Sequence, residues 1–208
     1  MPLPFPDSGL YVITATEKRT HDQIVGSIAA AIKGGARVIQ YRDKQTGSPQ
    51  QRLSLARRLL AVCHAAQVPL IINDDIDLAG LIGADGVHLG KEDSAIEKAG
   101  ERLGSEAIVG ISCYASPDQA RRAQIHGATY VAFGRFFPSR TKPHATPADP
   151  ALLQAVQLRI PVVAIGGITP VNGGELLAAG ANLLAVIDSV SAAPDPEQAA
   201  LAFRPLFT

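Results

Sequence analysis

The sequence has little that would mark a nucleic-acid-binding, secreted or membrane protein. Its 208 residues carry a formal net charge of zero, so it lacks the basic excess that is typical of a general nucleic-acid binder. The two cysteines, Cys63 and Cys113, form neither a zinc-ligand spacing nor a disulfide framework. Residues 1–10 lack the features of a signal peptide, and no apolar run approaches the roughly 20 residues that a membrane span requires. These absences predict a cytoplasmic protein without nucleic-acid or membrane partners, and they leave its function open.

What the sequence does contain is a regular series of short apolar segments. Each has the length of a β-strand, and most of its residues are β-branched or aliphatic, as in strands that are buried on both faces. The segments are residues 10–13, 38–41, 69–72, 86–89, 108–111, 130–133, 161–165 and 183–187. Segments of helical length separate them, and this alternation of strands and helices predicts a parallel sheet.

Capping residues predict where most of the helices begin. Five of the helix-length segments open with Ser, Thr or Asp followed by Pro. The first residue can accept from the free N–H groups of the first turn, and proline has no N–H to satisfy. The pairs are Ser48-Pro49, Ser116-Pro117, Asp149-Pro150, Thr169-Pro170 and Asp195-Pro196. Gln51, Gln119 and Gln198 complete a capping-box pattern, which Thr20 and Gln23 repeat without the proline.

A glycine-alanine pair precedes every second predicted strand. Glycine favours the left-handed conformation that ends a helix. The pairs are Gly35-Ala36, Gly83-Ala84, Gly127-Ala128 and Gly180-Ala181. The repeat therefore spans about two strand-helix units. Eight parallel strands predict a single-domain α/β protein over residues 1–208, a (β/α)₈ or TIM barrel, with a doubly wound open sheet as the alternative.

Polar residues follow the second predicted strand, and the active site of such a barrel lies at the C-terminal ends of its strands. The segment reads Gln40-Tyr41-Arg42-Asp43-Lys44. Because residues two apart share one face of a strand, we expect Gln40, Arg42 and Lys44 to point together into the barrel mouth. The alternative is an ordinary charged strand end that faces solvent.

Aspartates at the next two strand ends suggest a metal site. Asn73, Asp74 and Asp75 follow the third predicted strand, and Asp93 follows the fourth. Neighbouring barrel strands would bring Asp74 and Asp93 close together. Mg²⁺ favours one or two carboxylates together with waters and substrate phosphates. Each aspartate could instead cap the helix that follows it.

Ser112 and His88 also stand at strand ends. Ser112 ends the fifth predicted strand, and its hydroxyl either faces the site or bonds to nearby backbone. Cys113 is then expected to point the other way, into the core. His88 ends the fourth strand, and we assign it no role.

The loops after the last three strands have the composition of phosphate-binding loops. The longest, residues 134–143, combines hydroxyls and cations, and long loops of this kind usually bind or cover ligands. A solvated surface loop is the alternative. Gly166 and Gly167 follow the seventh strand, and Ile187 and Asp188 end the eighth. Loops after strands seven and eight form the common phosphate site of this barrel, where glycine lets backbone N–H groups approach closely.

Taken together, these segments resemble the thiamine phosphate synthase family over nearly the whole chain. The resemblance rests on residues 40–44, 72–74, 83–90, 141–142 and 165–168, in this order and at strand ends. It implies a Mg²⁺-dependent transferase that joins hydroxymethylpyrimidine diphosphate to a thiazole phosphate and releases diphosphate. In the family, diphosphate leaves first, and the thiazole nitrogen captures the resulting pyrimidine methylene cation.

The resemblance also implies three groups of site residues. The pyrimidine diphosphate would be bound by Gln40, Tyr41, Arg42, Asp43, Lys44, Asn73, Ser112 and Lys142. Of these, Arg42, Lys44, Ser112 and Lys142 would take part in catalysis. The thiazole phosphate would be held by Ser139, Arg140, Thr141, Gly167, Ile187 and Asp188. Mg²⁺ would be held by Asp74 and Asp93.

One residue departs from the family pattern, and two other functions compete with the synthase. Asp188 stands where the family commonly has a small polar residue, so we expect its carboxylate to turn away from the phosphate. A thiazole tautomerase-like enzyme would bind the thiazole phosphate without needing Arg42, Lys44, Lys142 or the aspartate pair. A non-catalytic phosphate sensor would need neither a metal nor a cationic lid. The sequence is compatible with a homo-oligomer and does not specify one.

Overall fold

Eight parallel strands close into a barrel in chain order in the computed structural model, which describes residues 1–43, 47–90, 94–138 and 147–208. The strands are β1 Gly9–Ile13, β2 Ala36–Tyr41, β3 Leu70–Asn73, β4 Gly86–Leu89, β5 Ile108–Tyr114, β6 Tyr130–Gly134, β7 Val162–Ile165 and β8 Leu183–Val186. Strand β1 pairs with both β2 and β8, which closes the sheet. Closure confirms the predicted (β/α)₈ barrel and excludes the doubly wound open sheet.

A helix follows each strand in the described part of the chain. The helices are α1 His21–Lys33, α2 Pro49–Ala65, α3 Ile76–Ile82, α4 Ser94–Leu103, α5 Pro117–Ile125, α6 Ala151–Ala155, α7 Gly173–Ala178 and α8 Pro196–Leu201. A short 3₁₀ helix, Arg204–Phe207, follows α8. Within these residues, no helix combines the length and the apolar composition needed to cross a membrane.

Most of the predicted helix boundaries are confirmed. Thr20 and Ser48 form complete capping boxes, and Ser116 and Asp195 accept from the third helical N–H of α5 and α8. The glycines that end α1, α3, α5 and α7 have φ angles of +105°, +70°, +92° and +114°, at Gly35, Gly83, Gly127 and Gly180. The left-handed conformation that the sequence predicted is therefore present at each of these positions.

The predicted start of the seventh helix is wrong. The pair Thr169-Pro170 lies in a turn, and α7 begins at Gly173 instead. The reason is local: the side chain of Asn172 accepts from the N–H of Thr169 at 2.8 Å, which folds these four residues back on themselves. The sixth helix begins at Ala151, where the carboxylate of Asp149 accepts from the Ala151 N–H at 2.9 Å.

The alternation of side chains along each strand divides the core into two layers. Leu10 and Val12 of β1 pack between the strands and the helices, whereas Tyr11 and Ile13 pack inside the barrel. Phe5 belongs to the inner layer and stacks on Tyr130, with ring centroids 4.3 Å apart. The chain before β1 therefore packs against the interior of the barrel.

Candidate active site at the C-terminal mouth of the barrel

A cavity of about 450 Å³ opens at the C-terminal ends of the strands. All eight strands, or the segments directly after them, contribute residues to its lining. Among the residues that line it are seven of those predicted to bind substrate: Gln40, Arg42, Asn73, Ser112, Gly167, Ile187 and Asp188. The fold thus brings together residues from both predicted substrate subsites, although they are far apart in the sequence.

The side chains of Tyr41 and Asp43 lie elsewhere. Tyr41 is 2% exposed and packs in the layer between the strands and the helices. Its hydroxyl donates to the Asp43 carboxylate at 3.2 Å. Because neighbouring residues of a strand face opposite sides, Tyr41 must face outward when Gln40 faces inward. A contact between Tyr41 and a ligand in the cavity would therefore have to come from its backbone.

Six of the predicted site residues lie outside the part of the chain that the structure describes: Lys44, Asp93, Ser139, Arg140, Thr141 and Lys142. Two of these segments closely follow residues that line the cavity. Arg42 lines the cavity two residues before Lys44, and Pro138 lines it one residue before Ser139.

Asp74 lies in a smaller depression beside the main cavity, and Asn73 lines both. Asp74 is exposed and has a φ of +62°, and its carboxylate accepts from the Asn73 side-chain amide at 2.6 Å. The capping role belongs to Asp75, which accepts from the Leu78 N–H at 2.8 Å and pairs with Arg52 at 2.9 Å. The helix-capping alternative therefore applies to Asp75 and leaves the Asp74 carboxylate toward solvent.

The surroundings of Asp74 suit a magnesium ion that is shared with a substrate. In the described part of the chain, no three His, Cys, Asp or Glu residues cluster as a metal cage. Mg²⁺ does not need a protein cage, because it keeps several waters and takes one or two carboxylates together with substrate phosphates. An exposed carboxylate at the edge of a ligand-sized cavity matches that donor set. The second predicted ligand, Asp93, lies outside the described residues.

A chain of buried polar groups connects one wall of the cavity with the other. The Gln40 amide donates to the Tyr11 hydroxyl at 2.8 Å, and that hydroxyl lies 2.8 Å from the hydroxyl of Tyr130. The Tyr130 hydroxyl lies 2.9 Å from Nδ1 of His88, and Nε2 of His88 lies 2.8 Å from the Ser112 hydroxyl. We refer to these five residues as the polar chain.

Sequence reasoning missed three members of the polar chain. Tyr11 and Tyr130 stand in apolar segments and were not singled out, and His88 was given no role. A usable signal existed, since Tyr11 is two residues before Ile13 and Tyr130 is two before Ala132, all of which face the barrel interior. Burial raises the pKa of both tyrosines well above the ordinary value, so both are neutral phenols at physiological pH.

Among the residues that the structure describes, the Lys and Arg residues that line the cavity are Arg42 and Arg135. The backbone N–H of Arg42 donates to the Thr14 hydroxyl at 2.9 Å, and that hydroxyl donates to the Arg42 carbonyl at 3.1 Å. This exchange ties the ends of β1 and β2 together and holds the Arg42 backbone in place. Arg135, which the sequence did not single out, donates to the carbonyl of Phe137 at 3.3 Å. Both cations can attract a phosphorylated ligand.

The loop after β7 depends on its two glycines. Gly166 and Gly167 have φ angles of +106° and +65°, and a Cβ on Gly167 would lie 2.3 Å from the Pro138 carbonyl oxygen. The loop therefore packs tightly on the start of the loop after β6. Asn172 donates to the Gly167 carbonyl at 3.1 Å, and the Ser189 hydroxyl donates to the Ile168 carbonyl at 2.9 Å. Held in this way, the loop can present backbone N–H groups to an anion.

The closed parallel barrel, with cations, amides and a glycine loop gathered at its C-terminal mouth, defines a protein of the (β/α)₈ class whose candidate site lies where enzymes of that class have their active sites. The sequence profile of the thiamine monophosphate synthase family matches residues 10–190. The chain therefore belongs to the thiamine monophosphate synthase family and is a transferase, as the sequence resemblance predicted.

Relatives and solved structures agree with this assignment. A thiamine-phosphate synthase of Methylococcus capsulatus is 48% identical over 209 residues, which cover 100% of this chain and 92% of the relative. A thiamine-phosphate synthase of Thiobacillus denitrificans is 48% identical over 205 residues, with 98% and 96% covered. The structure of a thiamine phosphate pyrophosphorylase from Pyrococcus furiosus superposes with a TM-score of 0.84 at 33% identity, with 97% and 96% covered.

Proposed function

We propose that this enzyme joins hydroxymethylpyrimidine diphosphate to thiazole phosphate, forming thiamine phosphate and releasing diphosphate with the help of Mg²⁺. The observation that carries the proposal is that residues of both predicted subsites line one and the same cavity. The names of relatives that are 48% identical over nearly all of this chain point to the same reaction. They favour the synthase over a tautomerase-like enzyme.

The pyrimidine would lie against Gln40, which is 3% exposed and projects into the barrel. Its amide already donates one hydrogen to Tyr11, which leaves the carbonyl oxygen and a second N–H for a ligand. An aminopyrimidine edge offers a donor and an acceptor side by side, which matches this pair. Ser112 and Asn73 line the same cavity and supply further polar contacts.

The diphosphate would lie at the mouth, between Arg42 and the edge of the depression that holds Asp74. Negative charge grows on the diphosphate as its bond to carbon breaks, so a fixed cation at Arg42 stabilises the transition state more than the ground state. Bound at Asp74 and Asp93, Mg²⁺ would supply further neutralisation of the leaving group. Lys44 and Lys142, which lie outside the described residues, are also predicted to neutralise charge on the diphosphate.

The reaction needs no nucleophile from the protein. The amino group of the pyrimidine donates electrons into the methylene cation, which the thiazole nitrogen then captures. The protein's contribution is to hold the thiazole beside the pyrimidine. The loop at Gly166 and Gly167 and the backbone at Ile187 and Asp188 would hold the thiazole phosphate, while Ser139, Arg140 and Thr141 are predicted to cover it.

The test is to mix both substrates with Mg²⁺ and to measure thiamine phosphate and free diphosphate. We expect equal amounts of the two products and loss of turnover when the metal is chelated. Asp74→Asn should lower kcat at least about tenfold, equivalent to about 1.4 kcal/mol. Asp22→Asn is the matched control, because the Asp22 side chain is 86% exposed, pairs with Arg58 on the surface and lines neither the cavity nor the depression.

Two outcomes would overturn parts of the proposal. Binding of the thiazole phosphate without any thiamine phosphate would favour the tautomerase-like enzyme or the phosphate sensor. Full turnover of both the wild type and Asp74→Asn in the presence of chelator would show that the reaction does not use Mg²⁺.

A further inference from the structure

We propose that Tyr11, Tyr130 and His88 are positioning residues that set which polar atoms Gln40 and Ser112 present to the pyrimidine, and that they thereby select an aminopyrimidine over an oxopyrimidine. The inference rests on the proposed function, since it presupposes that the pyrimidine lies against Gln40. It adds three residues to the site, none of which needs to touch the reacting atoms.

With the amide nitrogen of Gln40 facing Tyr11, the directions of the other hydrogen bonds in the polar chain follow. The amide nitrogen of Gln40 can only donate, so the Tyr11 oxygen accepts from it at 2.8 Å. Tyr11 is 1% exposed, and its own hydrogen therefore needs a protein acceptor, which the Tyr130 oxygen provides at 2.8 Å. The Tyr130 hydrogen then points to Nδ1 of His88, 2.9 Å away.

The same logic determines the tautomer of His88. Because Nδ1 accepts from Tyr130, a neutral His88 carries its proton on Nε2 and donates it to the Ser112 oxygen, 2.8 Å away. The hydrogen of Ser112 is then left to point into the cavity. The two ends of the polar chain thus present complementary groups: the carbonyl oxygen of Gln40 as an acceptor, and the hydroxyl of Ser112 as a donor.

Packing holds the middle of the polar chain in one place. Tyr130 is fully buried, and Phe5 stacks on its ring with an interplanar angle of 4°. On another side the ring lies against Gly110, where a Cβ would come within 2.0 Å of the Tyr130 Cζ atom. Glycine at that position in β5 leaves the space that the ring occupies. The Tyr130 hydroxyl therefore cannot move away from Tyr11 and His88 without disturbing the inner core.

This polarity discriminates between two kinds of pyrimidine. An amino group donates to the Gln40 carbonyl oxygen, whereas an oxo group at the same place would set two acceptors against each other. Reversal of the amide would relieve that repulsion, but it would have to reverse every bond along the polar chain to Ser112. A site that is built to pair a donor rejects an analogue that lacks it, because a buried acceptor is left without a partner.

Tyr130→Phe tests this role. It removes the middle hydroxyl and separates the Gln40 end from the His88 end. We expect the preference for the amino substrate over its oxo analogue, measured as the ratio of kcat/KM values, to fall at least about tenfold. The KM for thiazole phosphate should stay within about twofold. Ser27→Ala is the control, because it also removes one buried hydroxyl, which donates to the Ile24 carbonyl at 2.9 Å within α1. Its ratio should equal that of the wild type.

A second measurement does not depend on turnover. Nitrogen NMR of the wild-type imidazoles should show His88 with its proton on Nε2, identified by the signal that His88→Gln loses. A neutral His88 protonated on Nδ1 would overturn the proposed polarity. An unchanged amino-to-oxo ratio in a folded Tyr130→Phe variant would overturn the selective role. Absence of thiamine phosphate formation would instead contradict the proposed function while leaving the tautomer assignment intact.

Discussion

Neighbouring residues at the end of β2 have opposite environments, although both are buried. Gln40 is 3% exposed and lies at the cavity, whereas Tyr41 is 2% exposed and packs under the helices. Because successive side chains of a strand face opposite sides, a position at the cavity and a position in the outer core are direct neighbours in the sequence. At this scale, the residues that matter most are those whose polar atoms are both buried and directed into the cavity.

Asp188 is the residue whose charge is hardest to reconcile with a phosphate site. It lines the cavity beside the glycine loop. Two unit charges about 4 Å apart near a protein surface repel by roughly 4 kcal/mol, which exceeds the roughly 1.5–3 kcal/mol of a hydrogen bond to a charged group. We therefore expect the carboxylate to turn away and the backbone N–H groups to hold the phosphate.

The prediction for Asp188→Ser is a change in the KM for thiazole phosphate of less than about fivefold, or about 1 kcal/mol. Steady-state kinetics with the pyrimidine substrate saturating would measure it. A much larger gain in affinity would mean that the carboxylate faces the phosphate. A large loss would mean that Asp188 orients a cation instead.

At the scale of elements, the turn before α7 does more than connect β7 to a helix. Asn172 accepts from the Thr169 N–H at 2.8 Å and donates to the Gly167 carbonyl at 3.1 Å. One side chain therefore orders the whole glycine loop, which also packs on Pro138 of the loop after β6. This explains why the helix begins later than the Thr-Pro signal predicted.

Asn172→Ala should raise the KM for thiazole phosphate at least about fivefold and leave the KM for the pyrimidine diphosphate within about twofold. It removes two hydrogen bonds, each contributing about 0.5–1.5 kcal/mol to the ordered loop. Asn182→Ala is the matched control, because Asn182 accepts from the Val162 N–H at 2.8 Å at the opposite end of β7. An unchanged thiazole phosphate KM in Asn172→Ala would mean that the loop does not hold the phosphate.

Across the whole molecule, burial makes three tyrosine hydroxyls and one cysteine thiol hold their protons more tightly in the folded state than in the unfolded chain. Burial raises the pKa of Tyr11, Tyr41 and Tyr130 above the ordinary tyrosine value, and it raises the pKa of the Cys63 thiol to about 12. In the unfolded chain these groups lose their protons near pH 8.5 for cysteine and pH 10 for tyrosine. Above about pH 8.5 the unfolded state therefore binds fewer protons than the folded state, and stability falls as pH rises.

Urea unfolding between pH 8 and pH 11 should show this loss, with a slope of up to about 1.4 kcal/mol per pH unit for each group once its unfolded form has ionised. Cys63→Ala should make this slope shallower between about pH 9 and pH 11, by up to about 1.4 kcal/mol per pH unit. Ser27→Ala, another buried small side chain, should not change it. A free energy of unfolding that is constant over this range would contradict the prediction.

The sequence by itself determined the features that depend on neighbours along the chain. Strand length and apolar composition identified all eight strands, and capping residues and glycines marked most helix ends. Because strand ends are local features, the sequence also predicted that Gln40, Arg42, Asn73, Ser112 and Gly167 would stand at one end of a barrel, and the structure places these five at one cavity.

Only the tertiary structure decided what depends on contacts between distant segments. Closure requires β1 to pair with β8, and no local pattern distinguishes a closed barrel from an open sheet. The polar chain joins Tyr11 to Tyr130 across 119 positions and Tyr130 to His88 across 42. The polar atom of each of these side chains could form a hydrogen bond with many different partners. The order and register of the strands decide which partner lies within reach. Strand order and register depend on burial of the whole inner core, and the residues next to each side chain in the sequence do not determine them.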